Sequence, residues 1–153
     1  MATTHITPDQ DAVVSEVCIV APPERVFQAI VEREQALQWG TNPTFQVIES
    51  ELDPRLGGKW TSVSVEQGSS RKYEHHGEVV EISPPRLLAY TWFANWHEDP
   101  SHQTTERWDL SPASGGTRLK VTHSGLAQLP DACKAYSQGW LGLVASIKAF
   151  VEK

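Results

Sequence analysis

The sequence predicts an α+β fold in which a curved antiparallel sheet of seven strands wraps around a long C-terminal helix. Two patterns carry this prediction. Short segments bounded by turn residues fill the middle of the chain, and a broad apolar stripe at helical spacing fills its C-terminal end. A length of 153 residues fits one domain. We expect that domain to span residues 12–153, after a polar and flexible lead-in over residues 1–11.

The domain is predicted to begin with a strand and two short helices. Val13–Val20 is rich in Val and Ile, which favours a strand. The segment 21–24 (Ala-Pro-Pro-Glu) then favours a helix start, because Pro is accepted in the first helical turn and Glu suits the positive end of the helix dipole. Apolar residues at helical spacing continue to Val31. A second short helix is predicted over 34–39, since Gly40 stops it.

Six further strands are predicted, each bounded by turn residues such as Asp-Pro, Gly-Gly or Pro-Pro pairs. This spacing is typical of an antiparallel meander of hairpins. The six strands are predicted over Phe45–Leu52, Lys59–Val65, Lys72–Ile82, Leu87–Trp96, Thr104–Leu110 and Thr117–His123.

The last element is predicted to be a helix from Asp131, which can cap its first turn, to about Glu152. A helix of about 20 residues is roughly 30 Å long, which is enough to cross a small sheet. Its apolar side chains form one stripe for the sheet to cover. The stripe consists of Tyr136, Trp140, Leu143, Val144, Ile147, Phe150 and Val151.

Charge and composition exclude several classes of protein. With 13 Lys and Arg against 19 Asp and Glu, the net charge of −6 argues against a nucleic-acid partner, which requires a basic surface. The chain lacks the run of roughly 18 apolar residues that a membrane-spanning helix needs, so no membrane association is predicted. The N-terminus also lacks the charged-then-apolar pattern of a secretion signal. We therefore expect a cytoplasmic protein that is a monomer or a weak homodimer.

The two cysteines indicate no metal or redox chemistry. Cys18 and Cys133 are far apart and form no Cys-x-x-Cys motif. In a cytoplasmic protein we expect both thiols to be reduced. Cys18 lies in an apolar stretch and is predicted to be a small core residue.

Strand alternation gives the predicted sheet an unusually aromatic inner face. That face also carries three polar exceptions: His75, Glu106 and His123. The faces of strand 59–65 stay open, because Trp60 shares its parity with two serines. The other inner-facing residues are predicted to be Tyr73, Gly77, Val79, Leu88, Tyr90, Trp92, Ala94, Trp96, Trp108, Leu110, Leu119 and Val121.

These aromatic residues either fill the core completely or form the wall of a ligand cavity, since large rings do not always tile a small core without gaps. In the second case indole N–H and phenol O–H groups could orient a ligand. Trp39 and Trp96 are candidates for the mouth of such a cavity. The candidate ligand-binding residues are Trp60, Tyr73, His75, Tyr90, Trp92, Trp96, Glu106, Trp108, Val121, Trp140 and Val144.

Several short motifs occur in the order in which one superfamily has them, over roughly residues 12–152. These are Ala21–Phe27 (APPERVF), 57–60 (GGKW), 77–81 (GEVVE), 84–87 (PPRL), 90–92 (YTW), 116–119 (GTRL), 122–125 (THSG) and 139–140 (GW). Together they resemble the SRPBCC superfamily, which has the helix-grip fold of START-type lipid-transfer and birch-pollen-allergen proteins. Within it, the chain is most similar to bacterial homologues of the heat-shock-protein ATPase activator.

This resemblance implies a seven-stranded sheet that grips the C-terminal helix, with an elongated pocket between them. Fold alone does not settle function, because the superfamily contains carriers, sensors, enzymes and co-chaperones. The first hypothesis is a carrier or sensor of a hydrophobic, aromatic or lipid-like small molecule. The second is a co-chaperone-like module that stimulates the ATPase of a heat-shock chaperone.

The third hypothesis is a cyclase- or hydrolase-type enzyme. Its weak catalytic candidates are Glu106, His75 and His123, because a buried Glu and a His could serve as a general acid–base pair. A structural hydrogen bond or ion pair is the alternative for the same residues, and enzymatic activity is the less favoured prediction. No metal site is predicted, because His75 and His76 point to opposite faces of a strand and the 97–102 loop is expected to be solvated. No cofactor is predicted either.

Overall fold

The structure is a computed structural model that describes residues 2–153. Within this range eight strands form one antiparallel sheet in the order β1-β2-β8-β7-β6-β5-β4-β3. The strands are β1 (Thr3–Ile6), β2 (Val13–Ile19), β3 (Phe45–Leu52), β4 (Lys59–Glu66), β5 (Lys72–Ser83), β6 (Leu87–Ala94), β7 (Thr104–Ala113) and β8 (Gly116–Ser124).

Three helices complete the described part of the chain: α1 (Pro23–Val31), α2 (Arg33–Gly40) and α3 (Pro130–Val151). Helix α2 packs against both β3 and α3, and α3 also packs along β2. None of the helices within residues 2–153 combines the length and the apolar character that crossing a membrane requires. The predicted α+β architecture with a curved antiparallel sheet and a long C-terminal helix is confirmed.

The expected count of seven strands is corrected to eight. The additional strand, β1, lies inside the segment that was expected to be a lead-in, and it pairs antiparallel with β2 from Thr3↔Glu16 to Ile6↔Val13. Four mostly polar residues give no alternating hydrophobic signal, because β1 is an edge strand and is largely exposed. Its hydrogen bonds to β2, and not its own burial, hold it in the sheet.

The predicted alternation of faces is confirmed on the central strands. Glu106, Trp108 and Leu110 of β7 are at most 3% exposed, while Arg107 and Asp109 between them point outward and form an ion pair. Most of the apolar stripe of α3 is buried as expected, with Leu143 and Phe150 partly buried. Cys18 is a correction, because it is exposed: it lies on the outer face of β2 between the buried Val17 and Ile19.

Helix α3 begins differently from the prediction. Asp131 does not cap it: the helix starts at Pro130, and the preceding Leu129 supplies no side-chain hydrogen bond. Instead the Glu98 carboxylate, from the loop after β6, accepts hydrogen bonds from the backbone N–H of Asp131 at 2.8 Å and of Ala132 at 3.2 Å. A carboxylate there also complements the positive end of the helix dipole. The loop after β6 is therefore tied to the start of α3.

Candidate functional site

A cavity of about 840 Å³ lies between the sheet and α3. Strands β3 to β7, the segment 42–45 and one face of α3 line it, and α2 closes the end next to β3. Small-molecule sites in proteins typically have volumes of roughly 300–1,000 Å³, so this cavity has room for a drug-sized ligand. The predicted aromatic inner face therefore does not pack solidly against the helix.

Aromatic rings form one continuous wall of the cavity. The ring centroid of Trp60 lies 4.7 Å from that of Tyr90 and 4.7 Å from that of Trp92. Trp140 of α3 continues the wall, at 6.0 Å from Trp92 and 5.7 Å from Trp108. Tilted and edge-to-face pairs at such separations are favourable, so each ring helps to fix its neighbours.

All six indole N–H groups of the chain donate hydrogen bonds within the protein, over 2.7–3.2 Å. Trp39 donates to the Ala29 carbonyl, Trp60 to the Thr91 carbonyl, Trp92 to Tyr136 Oη, Trp96 to His75 Nε2, Trp108 to Tyr90 Oη and Trp140 to His123 Nδ1. The expectation that indole N–H groups orient a ligand is therefore corrected. The wall offers a ligand its ring faces and edges, while its N–H donors are already bound to acceptors of the protein.

Gly77 makes the position of Trp60 possible. The two residues are paired across β4 and β5, and the indole N–H of Trp60 reaches past Gly77 to the carbonyl of Thr91 on β6. A Cβ atom at residue 77 would overlap that carbonyl oxygen and the indole nitrogen. The absence of a side chain at this position therefore lets one indole bridge three strands.

Small residues line other parts of the cavity. Ser62 and Ser64 share the inward face of β4 with Trp60, which resolves the open question about strand 59–65. On α3, Gly139 and Gly142 line the cavity, and a Cβ atom at either would meet no atom within 4 Å. Because Gly weakens a helix interior by roughly 1 kcal/mol relative to Ala, two such residues in one helix need a compensating reason. Space for a ligand is one.

His123 is fully buried and fully hydrogen-bonded. Trp140 Nε1 donates to its Nδ1 at 3.2 Å, so the proton of the neutral ring is assigned to Nε2. Nε2 lies 2.8 Å from Thr104 Oγ1, and that hydroxyl donates to the Trp92 carbonyl at 2.9 Å. Burial lowers the pKa of His123 well below its ordinary value. This chain of bonds uses both ring nitrogens to connect β6, β7, β8 and α3.

Glu106 is also fully buried, but its carboxyl group has no hydrogen-bond partner within residues 2–153. It lies in the cavity wall on β7, between Tyr90 of β6 and His123 of β8 in the strand register. Neither carboxyl oxygen makes a hydrogen bond of acceptable geometry with a described residue. Burial raises the pKa of Glu106 well above its ordinary value, and the nearby Tyr90 and Trp108 groups offset only part of this rise. Burial therefore favours the protonated, neutral form of this carboxyl group.

His75 of β5 also lines the cavity, with its ring centroid 5.0 Å from that of Trp92. Its Nε2 accepts the indole N–H of Trp96 at 2.9 Å, which assigns the proton to Nδ1. Nδ1 is buried and lacks a hydrogen-bond partner in the described part of the chain. Burial, and to a lesser extent the neighbouring His97, lowers the pKa of His75 to about 4. The ring is therefore neutral at pH 7.

Nine of the eleven candidate ligand-binding residues line the cavity. Val121 and Val144 do not: they are at most 1% exposed and lie in the packed core. The catalytic candidates are not assembled into one group, since Glu106 shares no hydrogen bond with His75 or His123 within residues 2–153. The cavity residues are Trp60, Tyr73, His75, Tyr90, Trp92, Trp96, Glu106, Trp108 and Trp140.

A protein-family model matches residues 20–152 of this chain, which includes α1 to α3 and every strand that lines the cavity. The family is described as "Activator of Hsp90 ATPase homolog 1-like protein". The chain belongs to this family. No curated protein matches the chain.

Solved structures share the fold of this family member over nearly its whole length. A protein from Chromobacterium violaceum is 24% identical, with a TM-score of 0.81 over 94% of this chain and 99% of the other. The AHSA1 protein from Silicibacter pomeroyi is 25% identical, with a TM-score of 0.76 over 90% of this chain and 95% of the other. An AHSA1-like protein from Aeromonas hydrophila is 19% identical, with a TM-score of 0.73 and 92% coverage of both chains. The predicted resemblance to the bacterial activator homologues is confirmed.

Several lining residues of this AHSA1-like protein escaped the sequence analysis. They come from α2, the segment after it and the exposed face of α3, for example Ala36, Phe45 and Gly142. Trp39 was considered for the mouth, and it does line the cavity while its ring lies edge-on to Trp108 at 6.3 Å. The two glycines inside an otherwise amphipathic helix were the available signal for an opening beside α3.

Residues 98–101 of the loop after β6 are exposed, as expected, but His97 is a correction. His97 is only 4% exposed, and its Nε2 lies 2.7 Å from Tyr136 Oη. His75 faces inward as predicted, while His76 stacks on Phe93 at the outer face. Within residues 2–153 of this AHSA1-like protein, no three His, Cys, Asp or Glu side chains are grouped so that they could hold a metal ion.

Proposed function

We propose that this AHSA1-like protein binds a hydrophobic small molecule, aromatic or lipid-like, between the sheet and α3, and acts as a carrier or sensor. The observation that carries the proposal is a cavity of about 840 Å³ with a wall of interlocked aromatic rings. A core selected only for stability would close such a space, because side chains that face a void lose packing contacts. Flat apolar rings also give a ligand a large contact area.

A titration of tryptophan fluorescence against a panel of hydrophobic ligands tests the proposal, together with native mass spectrometry of the purified protein. The blocking variant is Gly142→Leu, which adds a large side chain at the cavity, at a position where a Cβ atom would meet no atom within 4 Å. Its matched control is Ala145→Leu, at an exposed position of α3 outside the cavity. We expect Gly142→Leu to weaken binding at least tenfold and Ala145→Leu to leave it unchanged.

Trp140→Ala should weaken binding by a similar factor, since it removes an aromatic anchor. A fluorescence signal that stays flat across the panel, with no ligand retained in native mass spectra, would contradict the proposal. Equal binding by Gly142→Leu and the wild type would place the ligand elsewhere.

A co-chaperone role is the second candidate, and the description of the matching family as activators of the Hsp90 ATPase favours it. In that case the protein would stimulate the ATPase of a heat-shock chaperone through its outer surface. The Gly142→Leu variant separates the two roles, because a blocked cavity should leave such stimulation intact. Chaperone ATPase rates that do not change when the protein is added would count against this role.

An acid–base enzyme is the third candidate, and the geometry favours it least. Both ring nitrogens of His123 are engaged, and Glu106 shares no hydrogen bond with either histidine in the described chain. Turnover of a candidate substrate that fails in Glu106→Gln would support this role, and full activity of that variant would remove it.

A further inference from the structure

Among the described residues that line the cavity, Glu106 is the one buried carboxyl group, and no Lys or Arg side chain is buried there. Glu106 has no hydrogen-bond partner for either oxygen within residues 2–153. The basic residue that lines the cavity, Arg71, is exposed at the rim, where its guanidinium lies 4.9 Å from the ring of Tyr73. Glu51 is also exposed and pairs with Arg33 at 3.2 Å. Glu106 is therefore the buried carboxyl group of the cavity for which the protein supplies neither a cation nor a hydrogen-bond partner among the described residues.

The titratable groups around Glu106 offer it no cation. Tyr90 of β6 and Tyr136 of α3 keep their protons, because burial raises the pKa of both well above the ordinary value. His123 of β8 and His75 of β5 stay neutral, because burial lowers the pKa of both. No group on the strands or the helix around Glu106 thus neutralises its carboxylate.

The wall around this carboxyl group is rich in π surface. Its free donors within residues 2–153 are neutral and few, such as the Nδ1–H of His75 and the hydroxyl group of Tyr90, which accepts the Trp108 N–H. Every indole N–H is bound to an acceptor of the protein. The faces of aromatic rings carry partial negative charge and attract cations within about 6 Å of the ring centroid. The remaining hydroxyl groups that line the cavity, such as those of Ser62 and Ser64, can accept hydrogen bonds as well as donate them. The groups that line the site therefore stabilise a cationic hydrogen-bond donor better than an anion.

We propose that the ligand is a lipophilic amine, whose ammonium group lies against the Glu106 carboxylate and the surrounding rings while its apolar body fills the rest of the cavity. This rests on the proposed function, because it assigns a chemical class to the ligand of the same cavity. A buried charge is stable only when it is paired, so the ammonium and the carboxylate each supply what the other lacks. On binding, Glu106 gives up its proton to solvent and the ammonium keeps its own.

Three probes of one shape test the proposal by isothermal titration calorimetry: 4-phenylbutylamine, 4-phenylbutan-1-ol and 4-phenylbutyrate, which are cationic, neutral and anionic near pH 7. We expect the wild type to bind the amine at least tenfold more tightly than the alcohol and to bind the anion most weakly. In Glu106→Gln, which keeps the shape of the side chain, the preference for the amine over the alcohol should fall to about twofold or less. The matched control is Glu51→Gln, which removes the same charge at the rim and should keep the full preference.

The pH dependence gives a second readout. Because Glu106 must lose its proton to pair with the ammonium, the affinity for the amine should rise severalfold from pH 6 to pH 8, and the affinity for the alcohol should not. Binding of the alcohol at least as tight as that of the amine would overturn the amine proposal and leave the proposed function standing. An amine preference that persists in Glu106→Gln would also overturn it. Failure of all three probes, and of the ligand panel, would overturn the proposed function as well.

Discussion

The two ends of the core differ in chemistry and in packing. The aliphatic end consists of Val17, Ile19, Leu119, Val144 and Ile147, which are at most 2% exposed and do not line the cavity. The aromatic end consists of Trp60, Tyr90, Trp92, Trp108 and Trp140, which all line it. Branched aliphatic side chains interdigitate between β2, β8 and α3, whereas the rings stand against one another and leave space. The aliphatic end joins the sheet to α3, and the aromatic end borders the space that the proposed ligand would occupy.

The same contrast occurs within one pair of neighbours. Glu106 and His123 are paired across β7 and β8, and both are completely buried. His123 has both ring nitrogens bound, whereas Glu106 has no hydrogen-bond partner in the described structure. Burial of a polar group without a partner costs stability, so the two residues should respond to substitution in opposite directions.

Leu119→Ala breaks the aliphatic end and should have the largest effect. Leu119 is 0% exposed in the packed half of the core, and truncation of a buried Leu there costs about 3 kcal/mol. Urea unfolding followed by circular dichroism measures the loss in the free energy of unfolding. Lys120→Ala, at the exposed neighbouring position, is the control and should stay within about 0.5 kcal/mol of the wild type. A loss below about 1 kcal/mol for Leu119→Ala would show that this end is not closely packed.

His123→Leu tests the member of this pair whose polar atoms are hydrogen-bonded. The variant keeps an apolar side chain of similar size but leaves the Trp140 N–H without its acceptor and Thr104 Oγ1 without its donor. We expect the free energy of unfolding to fall by about 2 kcal/mol. Chemical denaturation measures it, and unchanged stability would mean that this chain of hydrogen bonds contributes nothing.

Glu106→Leu tests the member of the pair that lacks hydrogen-bond partners in the described structure, and it should raise the free energy of unfolding. It replaces a buried, unpaired carboxyl group with an apolar side chain, and it leaves the hydrogen bond from Trp108 to Tyr90 in place. We expect the ligand-free protein to gain about 1 kcal/mol, by analogy with the replacement of buried ionic groups by apolar ones. Loss of stability in this variant would indicate that Glu106 is a structural residue.

The pH dependence of the same variant has a definite sign. Since burial raises the pKa of Glu106, the native carboxyl group holds its proton at pH values at which the unfolded one has lost it. The stability of the wild type therefore falls as pH rises through the raised pKa. Glu106→Leu has no carboxyl group at this position and therefore lacks this pH-dependent loss. The difference in the free energy of unfolding between the variant and the wild type should therefore grow between pH 5 and pH 8. A constant difference across that range would contradict the assignment.

Gly142→Ala should have the smallest effect. The added methyl group meets no atom within 4 Å, so only the helix propensity changes. Replacement of a mid-helix Gly by Ala adds about 0.5–1 kcal/mol. Thermal unfolding measures the gain, with the same change at Gly139 as an internal replicate. A decrease in stability would show that the open face of α3 is occupied in solution.

Local patterns were sufficient to predict most of the fold. Alternation placed Trp92, Trp108 and Glu106 on the inner face, and helical spacing placed Trp140 opposite them. Strand β1 was not predicted, because its four residues gain their order from pairing with β2 and not from burial. The cap of α3 was also not predicted, because Glu98 comes from a loop more than thirty positions away in sequence.

The site was predicted only in part, for a physical reason. Sequence shows which side chains are large, and it identified the aromatic wall from Trp60 to Trp140. It does not show which acceptor each indole N–H meets, because that depends on the register between strands. Nor does it show that the rings leave a gap, since the gap depends on the missing side chains at positions such as Gly139 and Gly142.

The glycines and serines that line the cavity have a consequence for how this protein can change. Each ring of the aromatic wall is anchored by its own hydrogen bond, so altering that wall disturbs the fold. Ser62, Ser64, Gly139 and Gly142 carry no comparable anchoring role among the described contacts, and the two glycines face open space. Single substitutions there can reshape the cavity while the rest of the protein stays as it is. Under the proposed function, the ligand preference can therefore be redesigned one small residue at a time.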